Sequence, residues 1–264
     1  MFDLIFKAII QGIIEGLTEF LPVSSTGHLI LANQYFGIEG EFGNLFAIVI
    51  QSGAILAVIL YFRDRFLPKS FKSEDLKSYA FFWSKIVVAV LPAGILGVLF
   101  SDAIDEYLFN SFTVAYALII GALLLLIVER KQRNVSLTSD LQVGYLPALL
   151  IGFAQCMALV PGMSRSASTI IGGLLLGFSR GLAAEFSFFM AVPTLLGASL
   201  YKLAKAGFSL TSEQWIVTGV GTLVSFIVAY LVIGLFMNFI KKHDFKIFAY
   251  YRIALGIIVL MLVK

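Results

Sequence analysis

Long apolar runs recur from one end of this 264-residue chain to the other, and they constrain the fold more than any other feature. Hydrophobic residues make up 59% of the chain and charged residues only 13%, whereas a soluble domain usually carries about 25% charged residues. Most of the molecular surface must therefore contact lipid. Because helices satisfy their own backbone hydrogen bonds inside a bilayer, the sequence predicts an all-α polytopic membrane protein. The modest net charge of +3 indicates a bias in the loops, not nucleic-acid binding.

Six runs are long enough to cross a bilayer core, which takes roughly 20 residues. They lie at 45–62, 84–100, 113–129, 184–202, 215–237 and 247–263. Two further stretches, 3–36 and 145–178, are apolar but are interrupted by a central proline with glycine and serine around it. Irregular backbone at membrane depth is tolerated only where protein buries it or where it lines a cavity. We therefore predict two re-entrant helix hairpins, although hydropathy alone also allows the first stretch to be a full span.

The chain also repeats itself. Gly12 to Glu15 match Gly152 to Gln155 at an offset of 140, and after a one-residue gap Pro22-Val-Ser-Ser25 matches Pro161-Gly-Met-Ser164. Further matches are Gly37 with Gly177, Phe46 with Phe186, Tyr61 with Tyr201 and, at an offset of 135, Tyr116 with Tyr251 and Gly121 with Gly256. These matches predict one membrane domain, 1–264, built from the repeats 1–130 and 145–264, each a re-entrant hairpin plus three transmembrane helices. Because three is odd, the second repeat is inverted relative to the first.

The positions of the basic residues orient this arrangement in the membrane. Lysine and arginine concentrate in the loops 63–83, 130–144 and 240–246, which all fall on one side of a six-span protein. The positive-inside rule makes that side cytoplasmic. Both termini are then external, and the first hairpin enters from outside while the second enters from inside.

The first polar stretch runs from Glu15 to His28. Glu15 and Glu19 are one helical turn apart, so their carboxylates share a face and could hold a divalent cation or act as acid or base. Ser24, Ser25 and Thr26 follow Pro22, which ends the helix. Their hydroxyls could cap the next helix, or one of them could be a nucleophile or a phosphate ligand. His28 could transfer a proton or attack phosphorus directly.

The second polar stretch runs from Pro161 to Thr169. Its hydroxyl-rich residues open a helix whose backbone N–H groups favour anions, and Arg165 adds a guanidinium suited to phosphate oxygens. We therefore predict that this stretch binds phosphate, with contributions from Ser164, Ser166 and Thr169. Gln155 occupies the repeat position of Glu15 and is a candidate polar partner. Arg180 is a weaker candidate, since a cytoplasmic arginine is expected at a hairpin end anyway.

At these residues the chain resembles the undecaprenyl-diphosphate phosphatase family, also called the bacitracin-resistance or BacA family. The resemblance covers nearly the whole chain and is strongest in Glu15-Gly-Leu-Thr-Glu-Phe-Leu-Pro-Val-Ser-Ser-Thr-Gly-His28 and Pro161-Gly-Met-Ser-Arg-Ser-Ala-Ser-Thr169, without a departure in either motif. The family's paired glutamates fall on Glu15 and Glu19, and its active-site serine and histidine on Ser25 and His28. Its phosphate-binding pair falls on Ser164 and Arg165.

The resemblance implies that the protein hydrolyses undecaprenyl diphosphate to the monophosphate, which recycles the lipid carrier for peptidoglycan synthesis and confers bacitracin resistance. It implies a divalent cation, Mg²⁺ or Ca²⁺, and a bacterial plasma membrane location with the active site on the outer side. The expected partners are a polyprenyl diphosphate substrate and membrane lipids, with a possible homodimer.

Two alternatives follow from the same residues. Inverted repeats with broken helices are also a transporter architecture, so the chain could instead move a lipid phosphate across the membrane. A second family of lipid phosphatases has Pro-Ser-Gly-His and Ser-Arg-x5-His motifs, but no histidine follows Arg165 or Arg180 at that spacing. The choice between His28 and Ser25 as nucleophile stays open in the sequence.

Overall fold

The computed structural model describes residues 1–68, 72–131, 135–206 and 210–262, without the side chains of 202, 203, 205 and 206. This part of the chain is helical, and its single β-bridge joins Leu137 to Phe178. In chain order the helices are α1 Phe2–Thr18, α2 Ser25–Phe36, α3 Gly40–Tyr61, α4 Arg63–Phe66, α5 Ser73–Ala103, α6 Ser111–Lys131, α7 Tyr145–Gln155, α8 Arg165–Leu175, α9 Arg180–Ala206, α10 Ser212–Ile240 and α11 Lys246–Leu262.

Five of the described helices are long and apolar enough to cross a membrane, which confirms a polytopic membrane protein. They are Gly40–Tyr61, Ser73–Leu108, Ser111–Lys131, Arg180–Tyr201 and Ser212–Ile240. The sixth predicted span corresponds to α11, of which 17 residues are described, and its predicted end at 263 lies outside the described residues. The span predicted at 84–100 is the core of a longer helix that begins at Ser73, because hydropathy detects only the lipid-facing part of a helix that continues into water.

Each predicted hairpin is a pair of short helices joined by a tight turn. In the first, α1 and α2 flank residues 19–24; in the second, α7 and a short 3₁₀ turn, Cys156–Leu159, precede α8. Ser24 and Ser164 cap the second helix of each pair by accepting the N–H of Gly27 at 3.4 Å and of Ala167 at 3.2 Å.

The two capping serines also share an unusual backbone conformation. They have φ angles of 71° and 70° and are the non-glycine residues with positive φ in the described part of the chain. By backbone conformation Ser164 corresponds to Ser24, at an offset of 140, and not to Ser25 as the sequence match predicts. Spacing from the nearby prolines misplaced the match, because the turn conformation, not the proline, sets the register. Ser25 thus occupies the position of Arg165.

The first helix of each hairpin packs closely against a long helix from the other half of the chain. A Cβ atom at Gly12 would lie 2.6 Å from the Gly221 carbonyl oxygen on α10, and one at Gly16 would lie 2.7 Å from the Ser225 carbonyl oxygen. Likewise, a Cβ atom at Gly152 of α7 would lie 2.3 Å from the carbonyl oxygen of Ala89 on α5. Small residues let helix backbones approach this closely in membranes.

Arg252 of α11 holds the two hairpin turns together. It is fully buried and donates hydrogen bonds to five backbone carbonyl oxygens. One belongs to Pro22 in the first turn at 3.4 Å, and two belong to Gly162 and Met163 in the second turn at 3.3 and 2.9 Å. The others belong to Ala117 and Leu118 on α6. The turns, and the polar residues they carry, therefore meet around one guanidinium.

Candidate active site

The structure brings the two polar stretches together, as the sequence predicts. Arg165 of the second hairpin forms an ion pair with Glu19 of the first, with 3.3 Å between the guanidinium nitrogen and Oε1. Ser166 donates its hydroxyl to the backbone carbonyl of Leu21 at 2.7 Å. These contacts link residues about 145 positions apart in the chain, so the site forms only when both hairpins are in place.

Glu19 is the centre of this constellation because both of its carboxylate oxygens are engaged. Ser25 donates its hydroxyl hydrogen to Oε2 at 2.8 Å, while Arg165 binds Oε1. The carboxylate is thereby oriented as a proton acceptor for the Ser25 hydroxyl, and the guanidinium holds it in place. A nucleophile hydrogen-bonded to a base that a third group orients is the general arrangement for nucleophilic catalysis.

Ser187 of α9 is a second partner of the Arg165 guanidinium. One guanidinium nitrogen donates to the Ser187 carbonyl oxygen at 2.9 Å and to its hydroxyl oxygen at 3.2 Å. Thr169 donates its hydroxyl to the same Ser187 oxygen at 2.8 Å. The sequence analysis missed Ser187; the only signal was a hydroxyl within the apolar span 184–202, which is common in membrane helices.

Several polar atoms at the site are buried without a complementary donor or acceptor among the described residues. They are both carboxyl oxygens of Glu15, which is fully buried, and the Nε–H of Arg165. Buried polar groups of this kind are costly unless something binds them. The free donor suits an anion and the free acceptors suit a cation, so the site has the donor and acceptor set for both.

The cation-binding potential of the protein alone is limited. In the described ranges, no three side chains of histidine, cysteine, aspartate or glutamate cluster as a metal site. Mg²⁺ is often held by one or two carboxylates, with the remaining ligands supplied by water and by substrate phosphates. Glu15 and Glu19 fit that pattern, whereas they do not fit a site made entirely from protein.

Two helix N-termini also face the site. Ser25 and Arg165 are the first residues of α2 and α8, so the first-turn N–H groups of both helices lie where the hairpins meet. Helix N-termini attract anions through these N–H groups and the helix dipole. Together with Arg165, they make this region suited to phosphate groups.

His28 lies next to this constellation but has other partners. Its Nδ1 is 2.7 Å from the Ser24 carbonyl oxygen, which can only accept, so Nδ1 carries the hydrogen. In the neutral ring, Nε2 then accepts a hydrogen bond from the Tyr251 hydroxyl at 2.7 Å. The two rings are stacked, with centroids 5.5 Å apart and an angle of 11° between them. Sequence reasoning noted Tyr251 only as a repeat match and missed this contact.

Of the remaining predicted residues, some lie inside this site and others have partners outside it. Ser164 caps α8 and lies 3.0 Å from the Ser166 hydroxyl, inside the site. Gln155 instead hydrogen-bonds Thr194 at 3.4 Å. Arg180 is paired with Glu129 at 2.7 Å, so the structure gives it a counter-ion other than phosphate. Phosphate contacts of Gln155, Arg180 and Thr26 stay predictions.

The sequence model of the family described as "Bacitracin resistance protein BacA" matches residues 8–258. "Undecaprenyl-diphosphatase 1" of Clostridioides difficile is 50% identical over 97% of this chain and 95% of its own length. "Undecaprenyl-diphosphatase" of Clostridium tetani is 49% identical over 98% and 96%, and that of Flavobacterium johnsoniae is 49% identical over 97% and 95%.

Proposed function

Because the chain belongs to the bacitracin resistance protein BacA family, we propose that it is an undecaprenyl-diphosphatase. It hydrolyses undecaprenyl diphosphate to undecaprenyl phosphate and inorganic phosphate, which returns the lipid carrier to cell-wall synthesis and confers bacitracin resistance. The observation that carries this proposal is the Ser25–Glu19–Arg165 constellation at the start of two helices. It places a nucleophile, a base and an anion-binding cation together inside an apolar protein.

We further propose that the fold consists of two inverted repeats with re-entrant hairpins. The helix order supports this, since each half has a hairpin of two short helices followed by three longer ones. The paired serine caps and the exchanged packing of α1 on α10 and α7 on α5 also support it. An odd number of spans per repeat would invert the second repeat, and the basic loops would face the cytoplasm. That the active site opens to the outer side of the plasma membrane is what the family resemblance implies. Association as a homodimer stays a prediction.

The protein residues bind the diphosphate by charge. The Nε–H of Arg165 has no hydrogen-bond partner among the described residues, whereas its other two nitrogens bind Ser187 and Glu19, and this donor binds an oxygen of the terminal phosphate. The first-turn N–H groups of α2 and α8 bind further oxygens. Since phosphoryl transfer depends mainly on positioning and charge neutralisation, these donors account for most of the catalytic effect.

Ser25 is the better supported nucleophile. Its oxygen attacks the terminal phosphorus while its proton passes to Glu19, and the bond from that phosphorus to the bridging oxygen breaks. Undecaprenyl phosphate leaves with the electron pair and needs no proton, because a phosphate is a good leaving group. Water then attacks the phosphoserine, giving its proton to a carboxylate, and inorganic phosphate leaves as Ser25 recovers its hydrogen. His28 is less suited to attack, since Tyr251 occupies its free nitrogen.

We expect Ser25→Ala to lower kcat by about a thousandfold or more, because the nucleophile is removed while the binding groups stay. The measurement is release of inorganic phosphate from undecaprenyl diphosphate, together with acid-quench trapping of a ³²P-labelled enzyme. Label on Ser25 in the wild type and its loss in Ser25→Ala support the mechanism. Label on His28, or full activity of Ser25→Ala, contradicts it. Thr113→Ala, which changes a half-buried hydroxyl at the start of α6 outside the site, is the control.

A divalent cation bound by Glu15 and Glu19 would neutralise charge on the diphosphate. Both oxygens of Glu15 are buried without a donor among the described residues, and the substrate would supply further ligands. We expect Glu15→Gln to raise the cation concentration needed for half-maximal activity at least about tenfold, because one anionic ligand is lost. Titration of Mg²⁺ and Ca²⁺ into chelator-treated protein measures this, with binding of Mn²⁺ followed by electron paramagnetic resonance as an independent readout. An unchanged cation dependence would remove Glu15 from the cation site.

A further inference from the structure

A groove of about 690 Å³ lies beside the first hairpin turn. Its walls come from α1, the turn, the first turn of α2, the second half of α10 and the first half of α11. The apolar side chains that line it include Leu17, Leu21, Val23, Leu235, Phe239 and Phe248. No charged side chain of the described residues lines it. The groove is therefore a surface for a hydrocarbon chain.

The groove adjoins the candidate active site at the turn. Leu21 lines the groove, and its backbone carbonyl accepts the hydroxyl of Ser166 in the site. His28 and Tyr251 also line the groove, and the backbone carbonyl bound by His28 belongs to Ser24, the residue before Ser25. The groove thus has one polar end, next to the nucleophile, and is otherwise apolar.

We propose that this groove holds the first isoprene units of the polyprenyl tail, with the stacked pair His28 and Tyr251 marking where the tail meets the diphosphate. The proposal rests on the function proposed above. A molecule with a dianionic head and a long hydrocarbon chain matches a phosphate site whose neighbouring surface is an uncharged groove. A second cavity, between α3 and α10, has no residue of the polar stretches in its lining.

Binding in the groove depends on shape. Membrane lipid is as apolar as the groove, so moving the tail from lipid into protein gains little from the hydrophobic effect. The gain comes from close contact between the methyl-branched chain and fixed side chains. A side chain that fills the groove should therefore weaken binding of a long-chain substrate more than that of a short one.

The test compares two substitutions on α10. Leu235 lines the groove and is 71% exposed, whereas Leu231 is 60% exposed and lies outside the groove one turn earlier. We expect Leu235→Trp to raise KM for undecaprenyl diphosphate about fivefold, leaving KM for the C15 farnesyl diphosphate within about twofold. Leu231→Trp should leave both constants unchanged. Equal behaviour of the two variants toward both substrates would overturn the proposal.

A photoreactive group on the third isoprene unit of a lipid diphosphate locates the tail directly. We expect labelling of residues 232–239 or 247–251, with competition by unlabelled undecaprenyl diphosphate but not by phospholipid. Labelling of α5 or α6, or competition by phospholipid alone, would show that ordinary lipid fills the groove and would overturn the proposal. Failure of the proposed function is separate: wild-type protein would then release no phosphate from either substrate.

Discussion

Arg165→Lys should lower kcat/KM for undecaprenyl diphosphate about a thousandfold, the range seen when a phosphoryl-transfer arginine is lost. Lysine keeps the positive charge but is a point charge without the planar fork of donors. Arg165 uses one nitrogen for Glu19, another for Ser187, and has its Nε–H left for the substrate. A single ammonium cannot reach all three acceptors. The measurement is steady-state phosphate release.

The stability of the Arg165 variants separates catalysis from folding. In Arg165→Lys, the buried carboxylate of Glu19 still has a counter-charge, so we expect a melting temperature within a few degrees of the wild type. Arg165→Met leaves Glu19 and Glu15 buried without a cation and should unfold at a lower temperature, since breaking a buried ion pair costs about 3–5 kcal/mol. Arg63→Lys, at a 74% exposed side chain, is the matched control. Wild-type kcat/KM in Arg165→Lys would contradict the assigned role.

Arg252→Met should destabilise the protein by about 3–5 kcal/mol, because a charged donor shared by five buried carbonyls is lost. Met replaces the aliphatic part of the Arg252 side chain, so the change removes the guanidinium end that makes these hydrogen bonds. The turns that carry Ser25 and Arg165 then lose their common anchor, and we expect kcat to fall as well although Arg252 does not contact the substrate. Thermal unfolding in detergent and phosphate release are the two measurements.

A second change tests the same anchor from the opposite side. A Cβ atom at Gly121 would lie 2.3 Å from a guanidinium nitrogen of Arg252. Gly121→Val should therefore displace the guanidinium and lower both the stability and kcat, as Arg252→Met does. Gly94→Val is the control, since a Cβ at Gly94 meets nothing within 4 Å. If Arg252→Met and Gly121→Val both keep the wild-type melting temperature and kcat, Arg252 does not position the hairpin turns.

The membrane class and the two hairpins were predictable because their signals are local. Apolar runs indicate contact with lipid, and a proline with serines around it indicates a broken helix. Both features can be recognised within short windows of sequence. The pairing of Ser24 with Ser164 was not predictable, because it depends on the φ angles of the turn, not on residue identity. The extension of α5 to Ser73 was missed for a similar reason: charged residues end an apolar run without ending a helix.

The sequence by itself determined which residue types were available for chemistry: two carboxylates, a serine, a histidine and an arginine in polar stretches of a membrane protein. Only the tertiary structure decided their partners. It directs the Ser25 hydroxyl to Glu19 and the His28 ring to Tyr251, a distinction that spacing cannot make because Ser25 and His28 lie on the same turn of one helix. It also recruits Ser187 and Arg252 from distant helices. These contacts join residues far apart in sequence, so no local pattern records them.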